Sequence, residues 1–357
     1  WLGAILPTGD TVDNDMIEEF FEGTKFVSAM QGGKPVFAKV EGPSVPRVEG
    51  VMSVPGGGQF VKYKGLPYLN NWYNAIIDGD AQYLQQGKAV LLMCYASLCS
   101  APLISDDLAA ESERIYDMVV SNNYDNFEFS FLMNWLAAIY QRPGINLQTN
   151  LWLIGKTQGV GKGTIIDIMR TILGSEFVGM LSQTDIERGW NDHLLGKQLI
   201  EINEFETSSK HGWSGKEWGK WIKSNTIEPQ LMIMGRNKTP YPVLNIGNYI
   251  GASNSIEQTF IDAEDRRNQF IKTTEDLNWV QYAANIQLSL FKKNPLQVAA
   301  GFAEILTQVK VNMELLGKSH KTAFRNEIAE MSNSAVDDWI ENDPTINHDL
   351  YVQANIH

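Results

Sequence analysis

The chain has 357 residues, 43% of them hydrophobic and 20% charged, the composition of a soluble globular protein with material for two or three domains. Its 29 Lys and Arg against 42 Asp and Glu leave a net charge of −13, which excludes a surface that grips nucleic acid over its whole face. Contact with a phosphate backbone is confined to a local basic channel. The longest uncharged apolar run, residues 89–105, falls short of the ~20 residues of a membrane span and reads as a buried helix, with no membrane partner. Cys94 and Cys99 have no metal-ligand partners beside them and suit a reducing compartment such as the cytoplasm. The chain opens on Trp1 without an initiator Met or a signal peptide, which reads as a fragment of a longer protein.

In chain order, residues 1–70 form an acidic start followed by Gly- and Pro-rich sequence with short β-type runs such as VFAKV and QFVKYK. Residues 71–145 read as a helical domain. Ser105-Asp-Asp-Leu is a helix start with acids in its first turn, and residues 131–141 are a helix stopped by Pro143-Gly144. Residues 146–275 change rhythm: strand at 151–155, helix at 164–173, strand at 198–202, strand at 249–253. Strands alternating with helices across glycine turns predict an α/β core with a parallel sheet. From 276 to 357 the pattern is helical again. One basic island stands out, residues 207–240, with Lys210, Lys216, Lys220, Lys223, Arg236 and Lys238 against Glu217 and Glu228.

The strongest motif is Gly155-Lys-Thr-Gln158-Gly159-Val160-Gly161-Lys162-Gly163-Thr164, between a predicted strand and a predicted helix. Glycines there let the backbone wrap closely, so that its N–H groups and the helix N-terminus face phosphates. Lys162 reaches the β- and γ-phosphates of a nucleotide and Thr164 contacts Mg²⁺. Lys156 stands where such loops usually carry their first glycine, and Gly163 stands in the usual Ser/Thr place. The strand at 198–202 runs into Asn203-Glu204, 42 residues beyond Lys162, with Glu204 the candidate for activating a water and Asn203 for the metal position. Residues 230–244 read as a β-hairpin with Arg236, Asn237 and Lys238 at its tip, at the end of the basic island. The strand at 249–253 ends in Ser253-Asn254, a polar position suited to a γ-phosphate or a lytic water. Arg266-Arg267 follow, a pair suited to stabilising transferred phosphoryl charge.

This order of motifs resembles the superfamily three helicases of viruses and phages, and within them the helicase half of phage and plasmid primase–helicase proteins of the D5-like type. LNNW (69–72), NWLAAIYQRPG (134–144), RGWNDHLLGKQLIEINE (188–204) and KTAFRNEIAEMSNSAVDDWI (321–340) extend the resemblance over roughly residues 65–340. It implies an AAA+-like P-loop NTPase core, flanked by an N-terminal mixed and helical region and a C-terminal helical region. It also implies a homo-oligomeric ring, a hexamer in such relatives, hydrolysing ATP with Mg²⁺ at subunit interfaces while moving on single-stranded DNA. An N-terminal primase-polymerase domain of the same full-length protein is a further implied partner. By carry-over Lys162 and Thr164 bind nucleotide, Asn203 and Glu204 take the acidic-strand positions, and Asn254 is the polar sensor. Arg266 or Arg267 is the finger, and Lys238, with Arg236, Asn237 and Lys223, lines the DNA channel. Three other readings stand beside this one, among them a protein-remodelling AAA+ machine, which would not need the basic hairpin tip. A ring that binds nucleotide without turning it over accounts for Asn in place of Asp at 203. A nucleoside-phosphate kinase accounts for the Gly-Lys-Gly-Thr run but gives the hairpin no role.

Overall fold

The computed structural model describes residues 26–31, 34–41, 47–51, 82–182, 184–185, 189–202, 221, 224–226, 228–235, 239–254, 266–276, 278 and 292–330. Three antiparallel strands, β1 (Phe26–Gln31), β2 (Lys34–Glu41) and β3 (Arg47–Val51), form a small sheet in the Gly/Pro-rich region. The QFVKYK run lies outside the described residues.

The main body is built on a five-stranded parallel sheet, with strands β4 (Asn150–Ile154), β5 (Val178–Leu181), β6 (Leu199–Ile202), β9 (Asn248–Ser253) and β10 (Asn268–Lys272). Their spatial order is β10-β4-β9-β6-β5. β4 therefore lies between β9, entered late in the chain, and β10, entered last. Leu151 pairs with Ile250 on one side and Gln269 on the other. A strand covered on both faces needs a near-continuous apolar run rather than an alternating one, and all five residues of β4 are buried. β7 (Gln230–Ile233) and β8 (Tyr241–Leu244) form a separate antiparallel hairpin in the register Gln230 to Leu244.

Helices α1 (Gln82–Met93), α2 (Leu108–Ser121), α3 (Phe127–Gln141) and α5 (Pro295–Gln308) pack together, and α4 (Lys162–Leu173) joins them on the sheet. α3 is buried around its whole circumference from Phe131 to Ile139, as an all-apolar helix must be. Its remaining polar groups tie it to its neighbours. The Trp135 indole donates to Thr149 O at the head of β4, and Gln141 donates to Leu306 O in the last turn of α5 and to Val309 O just past it. Asn126 caps α3 by accepting from Phe129 N, and Asp107 caps α2 by accepting from Ala109 N and Ala110 N. α6 (Met313–Leu316) and a helix at 323–330 follow.

The run at 89–105 departs from the single buried helix that its apolarity predicts. α1 ends at Met93, the chain widens into a π-helical turn over Cys94–Leu98, and Ser100 adopts φ 47°. Uniform apolarity fixes burial but not the hydrogen-bond pattern. Cys94 and Cys99 are buried free thiols, both pushed up by desolvation. No helix among the described residues is long and apolar enough to cross a membrane.

Candidate functional site

The Gly155–Thr164 segment leaves the C-terminal end of β4 and enters α4 at Lys162. It therefore occupies the crevice outside the carboxyl ends of the strands. Both edges of its first residue are fixed. Gly155 N donates to Ser253 O of β9 at 3.2 Å, and Thr273 N, past β10, donates to Ile154 O at 2.8 Å. A Cβ on Gly155 would lie 2.1 Å from Thr273 Oγ1, so only glycine fits there. Gly161 caps the helix at φ 97°, a left-handed conformation that a side chain disfavours. That turn leads straight into α4, whose first N–H groups have no partner within the helix.

Lys162 is 8% exposed, and its ammonium curls back into the loop, donating to Gly155 O at 2.7 Å and Thr157 O at 3.1 Å. Burial pushes its pKa down to about 8. A buried cation held by carbonyl dipoles lacks a full counter-charge, and an anion in the loop would supply one. Gly163 is exposed with nothing within 4 Å of where its Cβ would stand, and Thr164 is half-buried in the first turn. The loop thus offers open space, helix N–H groups, the Lys162 ammonium and the Thr164 hydroxyl, a donor set that suits a triphosphate with Mg²⁺.

Asn254 directly follows Ser253, whose carbonyl accepts from Gly155, so the structure brings Asn254 and the loop together. Asn254 is exposed. β6 lies beyond β9, with Ile202 opposite Gly251. Asn203 and Glu204 lie outside the described residues, as do Lys223, Arg236, Asn237 and Lys238. Arg266 and Arg267 stand elsewhere. Arg267 O accepts from Asn150 N, at the N-terminal end of β4, and Arg266 O accepts from Ser319 N. Both arginines are at the opposite end of the strands from the loop that follows β4.

Three contacts have no motif to announce them. Arg170 on α4 bonds Glu201 on β6 at 2.6 Å, tying the loop's helix to the strand that leads to Asn203. The Asn191 amide donates to Met232 O and accepts from Met234 N, fixing the hairpin strand to the segment before β6. Thr273 closes the space against Gly155. Their partners are distant in sequence, and although Asn191 and Glu201 fall within the 188–204 run, that run was read through resemblance alone.

Residues 153–267 match a protein family described as a family of unknown function (DUF5906). The chain is 24% identical over 242 residues to the DNA primase-polymerase of Nitratiruptor phage NrS-1, covering 66% of this chain and 32% of that protein. It thus spans about a third of the length of the curated relative it matches. Among solved structures, the apo NrS-1 C-terminal region aligns with a TM-score of 0.53 at 16% identity, covering 90% of this chain and 76% of the other. A second apo form aligns with a TM-score of 0.51 at 14% identity, covering 89% and 73%. These likenesses establish a shared fold. The resemblance to the helicase half of a phage primase-polymerase protein, read from the order of the motifs, is thereby matched by sequence similarity to such a protein and by the fold of its C-terminal region.

Proposed function

We propose that the chain is the ATP-dependent helicase or translocase domain of a phage or plasmid replication protein, built on an AAA+-like P-loop NTPase core. The observation that carries this reading is the loop after β4, with a left-handed Gly161 opening α4 and the buried Lys162 ammonium held inside the loop. In this reading the N–H groups of Gly159 to Thr164 cradle the phosphates and Lys162 neutralises the β- and γ-oxygens. Thr164 and Asn203 hold the metal position, and Mg²⁺ when bound supplies charge neutralisation to the transferred phosphoryl oxygens. Glu204 takes a proton from the attacking water, and Asn254, one residue from the loop's Ser253 anchor, orients the γ-phosphate or that water.

Arg266 and Arg267 serve a neighbouring subunit's nucleotide, which makes the active species a ring, a hexamer by resemblance. Single-stranded DNA passes along Lys223, Arg236, Asn237 and Lys238, since a chain of net charge −13 must confine phosphate contacts to its basic island. The NrS-1 relative is named a primase-polymerase, and a primase-polymerase domain is the partner this reading places in the full-length protein.

The test is ATP hydrolysis with and without single-stranded DNA, for wild type and Glu204→Gln. The reading expects DNA-stimulated turnover in the wild type and nucleotide binding without turnover in the variant. Binding without turnover in the wild type as well, with or without DNA, would favour a ring that holds DNA and uses nucleotide only structurally, a reading that Asn203 supports.

A further inference from the structure

A pocket of about 320 Å³ lies between the segment that precedes β6 and the hairpin strand β7. Trp190 lines it from the first segment, Met232 and Met234 from β7 and its extension, and Trp221 from the chain ahead of β7. Hydrogen bonds fix these segments against each other. Asn191 N donates to Met234 O at 3.0 Å, while the Asn191 amide donates to Met232 O at 2.9 Å and accepts from Met234 N at 2.7 Å. Trp190 N donates to Asp185 O at 3.2 Å, and the Trp221 ring meets the buried Tyr249 of β9 edge to face, with centroids 6.2 Å apart. The indoles are therefore in place before any ligand arrives, which lowers the ordering cost of binding.

The lining has two chemical characters. Trp190 is 39% exposed, Met232 47% and Met234 40%, and apolar groups gathered in the open like this mark a binding surface. Beside them stand carboxylates, Asp185 and the exposed Glu228, together with the Gln230 amide. Those acids repel phosphate and accept hydrogen bonds from N–H groups. Flat aromatic faces, polarisable thioethers and N–H acceptors together suit a nucleobase, not the sugar-phosphate chain that carries it. The pocket's place in the sequence supplies that chain. Its lining residues from Trp221 to Met234 fall inside the basic island, with Lys223 two residues after Trp221 and Arg236 two residues after Met234. Two residues of chain span at most about 7 Å, so both cations are rooted close to the pocket.

We propose that this pocket takes one unstacked base out of the single strand and stacks it against the indoles. The inference rests on the proposed DNA path, in which the basic island holds only phosphates, and adds a base contact to it. A base with an exocyclic amine fits best, because its N–H groups meet the acids. A second copy of the chain is the other candidate occupant. An apolar side chain from such a copy would leave the acids without donors, which favours the base.

The experiment titrates the 357-residue chain with a fluorescent deoxycytidine oligonucleotide and, separately, with an abasic oligonucleotide of the same length, for wild type, Trp190→Ala, Trp190→Phe and Lys238→Ala. Trp190→Ala should weaken deoxycytidine binding by roughly tenfold, the scale of one stacked base, and leave abasic binding and the salt slope unchanged. That unchanged abasic binding also verifies folding. Trp190→Phe, which keeps an aromatic face, should recover most of the preference for bases. Lys238→Ala should weaken both oligonucleotides equally. Wild-type base preference in Trp190→Ala, with Lys238→Ala still weakening both, would overturn the pocket and leave the DNA path standing. Equal weakening of both oligonucleotides by Trp190→Ala would also overturn it. So would an unchanged base preference with a lower mass in solution, which would assign the pocket to a second copy. Failure of the wild type to bind either oligonucleotide would overturn the DNA path and the pocket with it.

Discussion

Arg267 and Gly155 sit at opposite ends of one strand. Asn150 N, at the head of β4, donates to Arg267 O at 2.7 Å, and Gly155 begins the loop five residues on. At the rise of a parallel strand those residues separate the two ends by about 16 Å. A guanidinium that starts beside the head of β4 is at the wrong end of the sheet to reach phosphates held at the other end.

The arginine pair should therefore act in trans. Rings mixed from Arg266→Ala/Arg267→Ala subunits and Lys162→Ala subunits contain interfaces that pair an intact loop with an intact arginine. Those interfaces should recover ATP hydrolysis that neither variant shows alone. Absence of recovery in rings verified as mixed would remove the trans role.

Gly155→Ala should harm both fold and site. The added methyl would meet Thr273 Oγ1 and backbone at the one place where β4, β9 and β10 converge on the loop. Overpacking of this kind costs about 1–3 kcal/mol, so a lowered midpoint in thermal or urea unfolding is expected together with loss of ATP binding. Gly163→Ala, with open space around its Cβ position, should leave the unfolding midpoint nearly unchanged.

ATP affinity should fall as pH rises past about 8. Burial lowers the Lys162 pKa to about that value in the free protein. Bound phosphates favour the charged ammonium, so the liganded pKa is higher than the free one. Above about pH 8 binding must take up a proton, and affinity should drop by up to about tenfold per pH unit until the liganded pKa is reached. Lys162→Arg, which stays charged, should flatten this dependence in calorimetric titrations, whatever its absolute affinity. A profile identical to wild type would assign the dependence to another group.

The elements most legible in the sequence were those with an unbroken apolar run or a clear cap. β4, β6, β9 and α4 fall within two residues of the runs and spacing that predicted them, and the hairpin strands flank the polar turn that predicted them. α3 begins four residues ahead of its predicted start, at Phe127, because Asn126 supplies a cap that an aromatic-rich first turn conceals. β5 and β10 were not legible. β5 has four residues, and β10 places the polar Gln269 in a fully buried position, so neither shows a recognisable period. The phosphate loop was legible because its glycines and lysine are local in sequence. Its supports were not, since Ser253, Thr273 and Glu201 reach it or its helix only through the strand order.

The hairpin tip should carry DNA contact. Lys238→Ala and Arg236→Ala should each weaken single-stranded DNA binding regardless of sequence, and each should flatten the log–log salt dependence by roughly 0.7, one released counterion's worth on a single strand. Fluorescent-oligonucleotide titrations at several salt concentrations read both quantities. Basal ATP hydrolysis should survive while its stimulation by DNA falls. Unchanged affinity and slope in both variants would make the basic island a solvated face.

The central claim is that the loop after β4 is a nucleotide site with Lys162 as its mobile cation. The most direct measurement is steady-state ATP hydrolysis by wild type and Lys162→Ala at saturating Mg²⁺ and single-stranded DNA. The account predicts that Lys162→Ala loses at least about a hundredfold in turnover, the scale of removing one preorganised charge from a phosphoryl-transfer site. Turnover at the wild-type rate in Lys162→Ala would contradict it.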